Sequence, residues 1–307
     1  MKLDPNQFLI FNTLANLLQR LRLPAPQHPL VALVDYQKVD VPLDDAGKCF
    51  LLHFYKIAFK TTFKGMVSYG PGRYDFQEGG LAFLAPNQVV KMSANKEEYE
   101  GYVLYFHPDL LTGYPLANSI LRYGFFSYAV DEALYLSENE KQIIALLFEA
   151  IARELDHRTD TFSHDILVSQ IELLLHHSNR FYHRQFLTRK LVNHDLIDRM
   201  QSYLSHRFSN QTALLTGLPS PKEVAEQLRV SPRYLSDMLR TLTGKTTQQH
   251  IHLQLIKKAK ELLATPALTT AEVAYQLGFE HPQSFNKLFK QKTALSPAEF
   301  RQALANQ

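Results

Sequence analysis

Residues Lys222–Ile251 read KEVAEQLRVSPRYLSDMLRTLTGKTTQQHI, and residues Ala271–Arg301 read AEVAYQLGFEHPQSFNKLFKQKTALSPAEFR. Superposed, Val224-Ala225-x-Gln227-Leu228 falls on Val273-Ala274-x-Gln276-Leu277 at an offset of 49. Beyond the turn Leu235, Met238, Leu239 and Thr243 fall on Phe285, Leu288, Phe289 and Thr293 at an offset of 50, so the second turn is one residue longer. Such a pattern is one supersecondary unit used twice. Each copy is expected to be a short helix, a tight turn and a second helix, the plan of a helix-turn-helix.

The first copy places a short helix over Pro221 to Leu228. Ser231-Pro232 then supplies an N-cap and a first helical residue. Leu235, Met238, Leu239 and Leu242 form the apolar face of the following helix, which leaves Arg233, Ser236, Asp237 and Arg240 facing out. Gly244 suits a left-handed stop. Thr246 to Leu263 reads as a long helix ending before Pro266, with Ile251, Leu255, Ala259, Leu262 and Leu263 inward and Lys257, Lys258 and Lys260 around it. The second copy starts on a Thr269-Thr270 cap and turns through Gly278-Phe279-Glu280-His281-Pro282. It buries Phe285, Leu288 and Phe289 and exposes Gln283, Asn286, Lys287 and Lys290. Ser296-Pro297 caps a last helix with Phe300 inside.

Outward from the repeats the charge changes sign. Gly217–Gln307 holds 12 basic and 7 acidic residues, a net +5, whereas the rest of the 307-residue chain carries 21 basic and 23 acidic residues, a net −2. That is the asymmetry of a nucleic-acid-binding half joined to a half of another kind. The composition, 45% hydrophobic and 21% charged, is ordinary for a soluble globular protein of about two domains. The one cysteine, Cys49, cannot form an internal disulfide; it fits a reducing cytosol and reads as a small buried residue. The start of the chain is polar at Asp4, Asn6, Asn12 and Asn16 and is no signal peptide, and no run approaches a membrane span.

The N-terminal half is expected to open with a helix over Asp4 to Leu23, where Phe8, Phe11, Leu14, Leu18 and Leu21 recur at helical spacing. From Leu30 to about His107 short Val-, Tyr- and Phe-rich segments alternate with Gly70-Pro71-Gly72, Gly79-Gly80 and Ala85-Pro86-Asn87, a pattern of strands and turns that suggests a sandwich or small barrel. Ser137-x-x-Glu140 is a capping box opening a helix from Glu138 to His157, with Ile143, Ile144, Leu147, Phe148, Ile151 and Leu155 on one face. A second helix, about Thr161 to Arg184, carries Ile166, Leu167, Ile171, Leu174 and Leu175. Their apolar faces can pack on the barrel or on the same helices of a second subunit. Phe186 to Asn193 is polar and basic, and the domain boundary is placed there, between residues 190 and 191. Asp195 to Phe208 reads as a further amphipathic helix and Ser209 to Pro219 as a loop.

The region from about Asp195 to Arg301 resembles the DNA-binding domain of the AraC family of bacterial transcription regulators. The residues that carry the likeness are Ala225-x-x-Leu228-x-Val230-Ser231-Pro232-x-Tyr234-Leu235, Thr243-Gly244, Ile256-x-x-Ala259-x-x-Leu262-Leu263, Val273-Ala274-x-x-Leu277-Gly278-Phe279, Phe285-x-x-x-Phe289-Lys290 and Ser296-Pro297-x-x-Phe300-Arg301. In that family the long helix holds the two units so that both second helices enter major-groove segments on one face of the duplex. The resemblance implies an α+β two-domain protein: a cupin-like N-terminal barrel with flanking helices over residues 1–190 and an all-α double helix-turn-helix over residues 191–307. It implies Arg233, Ser236, Asp237 and Arg240, and His281, Gln283, Asn286 and Lys287, as base readers. Arginine matches guanine acceptors, and Gln or Asn matches adenine. Asp237 either accepts from cytosine N4 or orients Arg233 or Arg240. Ser231, Lys245, Ser284, Lys290 and Arg301 are implied as phosphate contacts, although any single exposed cation here also fits a solvated surface. Ala294 departs from the pattern, standing where the family has the glycine that Gly244 supplies in the first copy.

The resemblance further implies promoter DNA as partner, a small-molecule effector in the barrel and RNA polymerase as a partner of an activator (preferred over a repressor); the wide apolar faces of the two helices suggest a homodimer, and a cytoplasmic location and no cofactor are expected. A rival reading is a cupin-type enzyme with an accessory DNA module. That enzyme needs a metal site of the His-x-His type, but His53 and His107 are the only histidines in the strand region and form no such pair. His176, His177 and His183 lie together on the second long helix and read as solvated or interface residues. A third reading is a ligand-free dimer whose barrel is packed with rings, given 20 Phe and 15 Tyr; an open cavity would instead favour a sensor.

Overall fold

The computed structural model describes residues 8–39, 48–64, 66–69, 72–75, 79–91, 98–129, 132–158, 160–209 and 212–305. The chain divides into two compact units, Met1–Gln185 and Phe186–Gln307. The first is built on β-sheets and the second is helical.

In the first unit, β1 (Phe8–Phe11) leads to α1 (Leu14–Arg20), and β2 (Val31–Asp35), β3 (Cys49–Leu52), β4 (Tyr55–Lys64), β5 (Met66–Tyr69), β6 (Gly72–Asp75), β7 (Gly80–Leu84), β8 (Val89–Lys91) and β9 (Glu98–Phe106) follow. Then come α2 (Leu116–Ser119), β10 (Leu134–Tyr135), α3 (Glu138–Asp156) and α4 (Ser163–Thr188). Among the described residues the strands form a five-stranded antiparallel sheet in the order β10-β7-β4-β9-β2, a three-stranded sheet β1-β3-β8 and the hairpin β5-β6. The expected barrel is therefore not closed. The larger sheet keeps free edges at β10 and β2 and is one layer of a stack. Tyr55, Ile57 and Phe59 share a face with their partners Phe106, Leu104 and Tyr102, and the Phe59 ring meets Phe148 of α3 at 5.5 Å. On the opposite face Ala32, Val34, Val103 and Tyr105 join Leu14, Leu17, Leu18 and Leu21 of α1 and Phe50 and Leu52 of β3 in one core.

The expected helix from Asp4 to Leu23 is also corrected; residues 1–7 lie outside the described residues. Phe8–Phe11 is a strand in parallel register with Cys49–Leu52, and the helix is only Leu14–Arg20. Thr13 divides the two: its backbone is extended and its hydroxyl caps Asn16 N–H at 3.3 Å. Cys49, expected buried, is partly exposed. The helix at Ser137 matches its reading, with both halves of the capping box made and Ile144, Phe148 and Ile151 buried. Glu140 of that box also accepts from Arg184 Nε of α4 at 3.0 Å, while Arg184 Nη2 donates to the Tyr135 carbonyl at 2.8 Å. His176 of α4 pairs with the Tyr123 hydroxyl at 3.1 Å. No helix of the described residues is long and apolar enough to cross a membrane.

The second unit contains α5 (Lys190–Ser209), α6 (Thr212–Thr216), α7 (Pro221–Leu228), α8 (Pro232–Thr243), α9 (Thr247–Leu263), α10 (Thr270–Gln276), α11 (Pro282–Thr293) and α12 (Pro297–Ala305). The segment Ser209 to Pro219, expected as a loop, thus carries the short helix α6. Ala213 at its start is fully buried, which anchors a turn too short to show a period. The long helix α9 packs against α7 and α8 on one side of the repeat and α10 and α12 on the other. Its buried side chains are Thr247, Ile251, Leu255, Ile256, Ala259 and Leu263.

Candidate nucleic-acid interface

Each repeat closes through the same local chemistry. Ser220 and Glu223 form a reciprocal capping box at the start of α7, and Thr269 and Glu272 form its counterpart at α10. Hydrogen bonds from the Thr269 backbone and hydroxyl hold the Glu272 carboxyl below its ordinary pKa. The Ser220 box was legible as the same S-x-x-E pattern as Ser137. At the far end of each first helix a buried alanine accepts the chain's return: Val230 N–H donates to the Ala225 carbonyl and Phe279 N–H to the Ala274 carbonyl, both at 3.0 Å. Val224, Ala225, Leu235, Met238 and Leu239 are fully buried, as are Val273, Ala274, Leu277, Phe285 and Phe289. Most of the apolar residues the repeat keeps are the residues that pack.

The second helix of each unit presents the remaining positions. On α8 Arg233 and Arg240 are exposed, and Ser236 and Asp237 are partly so. Arg233 Nε donates to Asp237 Oδ2 at 2.9 Å, and Arg240 Nη1 stands 3.9 Å from Asp237 Oδ1. One carboxylate thus sits between two guanidinium forks a turn to either side of it. So exposed a set of pairs adds little stability, but it fixes where the forks point. Ser231 caps α8, its hydroxyl oxygen accepting from Tyr234 N–H at 3.3 Å. On α11 Gln283, Ser284, Asn286, Lys287 and Lys290 are exposed. His281 is also exposed and is the N-cap residue of α11, with no capping bond from its ring.

Three features lie beyond the sequence reading. Thr243 and Thr293, matched in the repeat, do the same work: each hydroxyl donates to the carbonyl four residues back at 2.8 Å and accepts the N–H two residues on. Thr243 also meets His250 Nε2 at 2.8 Å, where burial, with help from Lys245, lowers the imidazole pKa. Arg301 is only partly exposed; its Nε donates to the Leu263 carbonyl at 3.2 Å, at the end of α9. Lys245, next to the Gly244 stop of α8, is exposed. Both stops are left-handed, Gly244 at φ 71° and Ala294 at φ 65°. The alanine costs about 1 kcal/mol there, and α11 forms regardless.

The arrangement offers two exposed rows of donors, one dominated by arginine and one by amide and ammonium groups. They stand on helices held by a single 17-residue linker helix roughly 25 Å long. Arginine forks and side-chain amides are the groups that read base edges in a major groove.

Comparison with known proteins agrees with this chemistry. Residues 224–303 match the family model described as a helix-turn-helix domain, and residues 64–171 match that of the AraC-like ligand binding domain. The chain is 27% identical over 163 residues to the HTH-type transcriptional activator RhaS of Klebsiella pneumoniae, covering 53% of each protein. It is 31% identical over 84 residues to the Msm operon regulatory protein of Streptococcus mutans, covering 27% of this chain and 30% of that one. The chain thus spans about half the length of the first relative and under a third of the second. Among solved structures, the C-terminal domain of AraT, a response regulator from Geobacillus stearothermophilus, is 29% identical, with 35% of this chain and 84% of that one covered. Its TM-score of 0.31 is too low to establish a common fold. With a helix-turn-helix domain at its C-terminal end and an AraC-like ligand-binding domain before it, the chain belongs to the AraC family of transcription regulators.

Proposed function

We propose that this chain is a sequence-specific DNA-binding regulator, an activator as the RhaS relatives are named, in which α8 and α11 each enter a major-groove segment of promoter DNA. The observation that carries this is the pair of exposed donor rows on two equivalent helices braced by one buried linker. Arg233 and Arg240 read guanine, with Asp237 orienting them. Gln283 and Asn286 read adenine, and His281, Ser236 and Lys287 complete the two rows. Ser231, Lys245, Ser284 and Lys290 hold phosphates. Arg301 has its Nε committed to the end of α9, so its contribution is chiefly to brace that helix. Residues up to about 190 sense an effector and dimerise, and as an activator the bound dimer contacts RNA polymerase.

Selection of bound duplexes from a random library tests the reading. Two unlike blocks about one helical turn, roughly 10 base pairs, apart are expected to be enriched. No enrichment over input would refute it. Arg233→Ala is expected to weaken binding to the selected site by about 1–3 kcal/mol and relax preference at one base position. Equal loss on selected and random duplexes in a titration would remove Arg233 from the base readers.

The dimer rests on α4. Leu167, Val168, Ile171, Leu174 and Leu175 are buried within the unit, but Ile166 and Leu173 stay 39% and 47% exposed and Phe162, just before the helix, 67%. Phe162, Ile166, Ser169 and Leu173 follow a 4-3-4 spacing, the seam of a helix pair, and one seam pairs with its copy across a two-fold axis. Leu173→Glu is expected to raise the dimer dissociation constant roughly 100-fold or more by placing a charge in that seam. Sedimentation velocity reads it, and an unchanged dimer would place the interface elsewhere.

A further inference from the structure

On the face of the larger N-terminal sheet opposite α3, Lys56 is a cation that makes no ion pair among the described residues. The alternation that turns Tyr55, Ile57 and Phe59 towards α3 turns Lys56 and Ala58 to the other side, level with Tyr105 and Val103 of β9. There Lys56 borders a cavity of about 70 Å³, walled by Leu17 and Leu21 of α1, Phe50 and Leu52 of β3, and Val103. The phenols of Tyr36 and Tyr105 are the other titratable groups lining it among the described residues; Lys60, buried, follows on the same face further along β4. Among the described residues the Lys56 ammonium makes no hydrogen bond or ion pair. Burial alone pushes its pKa down to about 8, with no charged neighbour contributing.

At neutral pH that ammonium is still mostly protonated, so a positive charge sits on a half-buried side chain beside hydrocarbon, with no ion-pair partner among the described residues. Such a group is costly, and an apolar side chain of the same length would be more stable there. Rings pack on both faces of the sheet, around Phe59, Phe83, Phe125 and Tyr182 on one and around Phe11, Phe50, Phe54 and Tyr105 on the other. On the second of these faces a space stays open between Tyr36, Phe50 and Tyr105, with Lys56 at its border. Its shape and charge therefore call for a small ligand with an apolar body and one negative group. A carboxylate, with one negative charge, suits the single ammonium in an otherwise apolar wall, whereas a phosphate, with more oxygens and more charge, needs a richer set of donors.

We infer that the cavity beside Lys56 is a carboxylate site, the anchor for an effector that is a small aliphatic acid. The inference rests on the reading of this unit as a ligand-binding domain and adds the class of ligand. Neither matched family segment includes Lys56.

Thermal unfolding of the full chain with acetate, butyrate or isovalerate, and with 3-methylbutan-1-ol as a neutral isostere, tests it. At least one acid is expected to raise the midpoint of the N-terminal transition and the alcohol not, with the shift fading as the pH rises through about 8, where Lys56 loses its proton. Lys56→Met is expected to unfold at a higher temperature than the parent without ligand and to lose the whole acid-induced shift. A parent chain unmoved by all three acids overturns the proposal, as does a Lys56→Met chain that responds like the parent. An alcohol as effective as the acids overturns the anionic class while leaving a ligand-binding domain in place. An acid that binds through Lys56 but leaves affinity for the selected DNA unchanged supports the site and counts instead against the sensing role.

Discussion

Phe289→Ala is expected to unfold the second helix-turn-helix unit ahead of the rest of the helical domain. Phe289 is fully buried on α11, and rings meet it on both sides, Phe285 at 5.6 Å and Phe300 at 5.6 Å, with Phe279 a further 5.5 Å beyond Phe285. Lys260 of the linker helix stands 5.7 Å over the Phe300 ring, tying the far end of this row to α9. Removing the central ring loses its transfer energy and leaves a cavity that four surrounding elements cannot all close. The cost is about 3–5 kcal/mol, or roughly 10–20 °C in the midpoint of a domain this size. Half of the proposed base-reading residues go with it, so affinity for the selected site should fall on the order of 100-fold or more, towards the non-specific level. Calorimetry and gel-shift titration on the same sample check both. A midpoint within a few degrees of the parent, or full protection of both blocks in a footprint, would show that the ring row does not hold α11.

The helical half was largely legible before the structure because its signals are local. The starts of α7, α8, α11 and α12 are marked by Pro221, Pro232, Pro282 and Pro297, and the buried positions recur in both copies. A cap and its helix lie within four residues of each other, so the sequence contains both parties to the bond. The β half fails this condition. Phe8–Phe11 has helical spacing with Leu14 and Leu18, yet it pairs with Cys49–Leu52 some forty residues on, and nothing near Phe8 records that partner. Alternation along β4 and β9 shows which residues share a face but not whether the outermost strands meet, so an open sheet and a barrel read alike. Asp237 was legible as an oddity among cations, while its hydrogen bond to Arg233 and its approach to Arg240 are visible only in the structure. Lys56, within an apolar run of strand residues, gave no signal until the sheet showed which way it points.

The two left-handed positions of each repeat carry the largest remaining contrast. In the turn, Arg229 at φ 60° corresponds to Gly278 at φ 90°; at the end of the second helix, Gly244 corresponds to Ala294. The glycine has moved from one position to the other, and conformation alone does not explain it, since all four residues have positive φ. Surroundings do. A Cβ on Gly278 would lie 2.7 Å from the Ala213 carbonyl oxygen, 2.8 Å from the Gly217 carbonyl carbon and 3.0 Å from Leu218 N, all backbone atoms of α6 and the segment after it. Nothing lies within 4 Å of a Cβ on Gly244, and the exposed Arg229 has room for a long side chain. Gly278→Ala therefore meets both a left-handed cost of about 1–2 kcal/mol and an overlap with backbone that cannot rotate away, about 1–3 kcal/mol more. Arg229→Gly should be neutral or stabilising by up to about 1 kcal/mol, because it removes only the first of these. Denaturant titration of the two variants side by side decides the matter. If Gly278→Ala loses no more than the left-handed cost, the contact with the α6 segment is not tight, and the second turn is free to move against it.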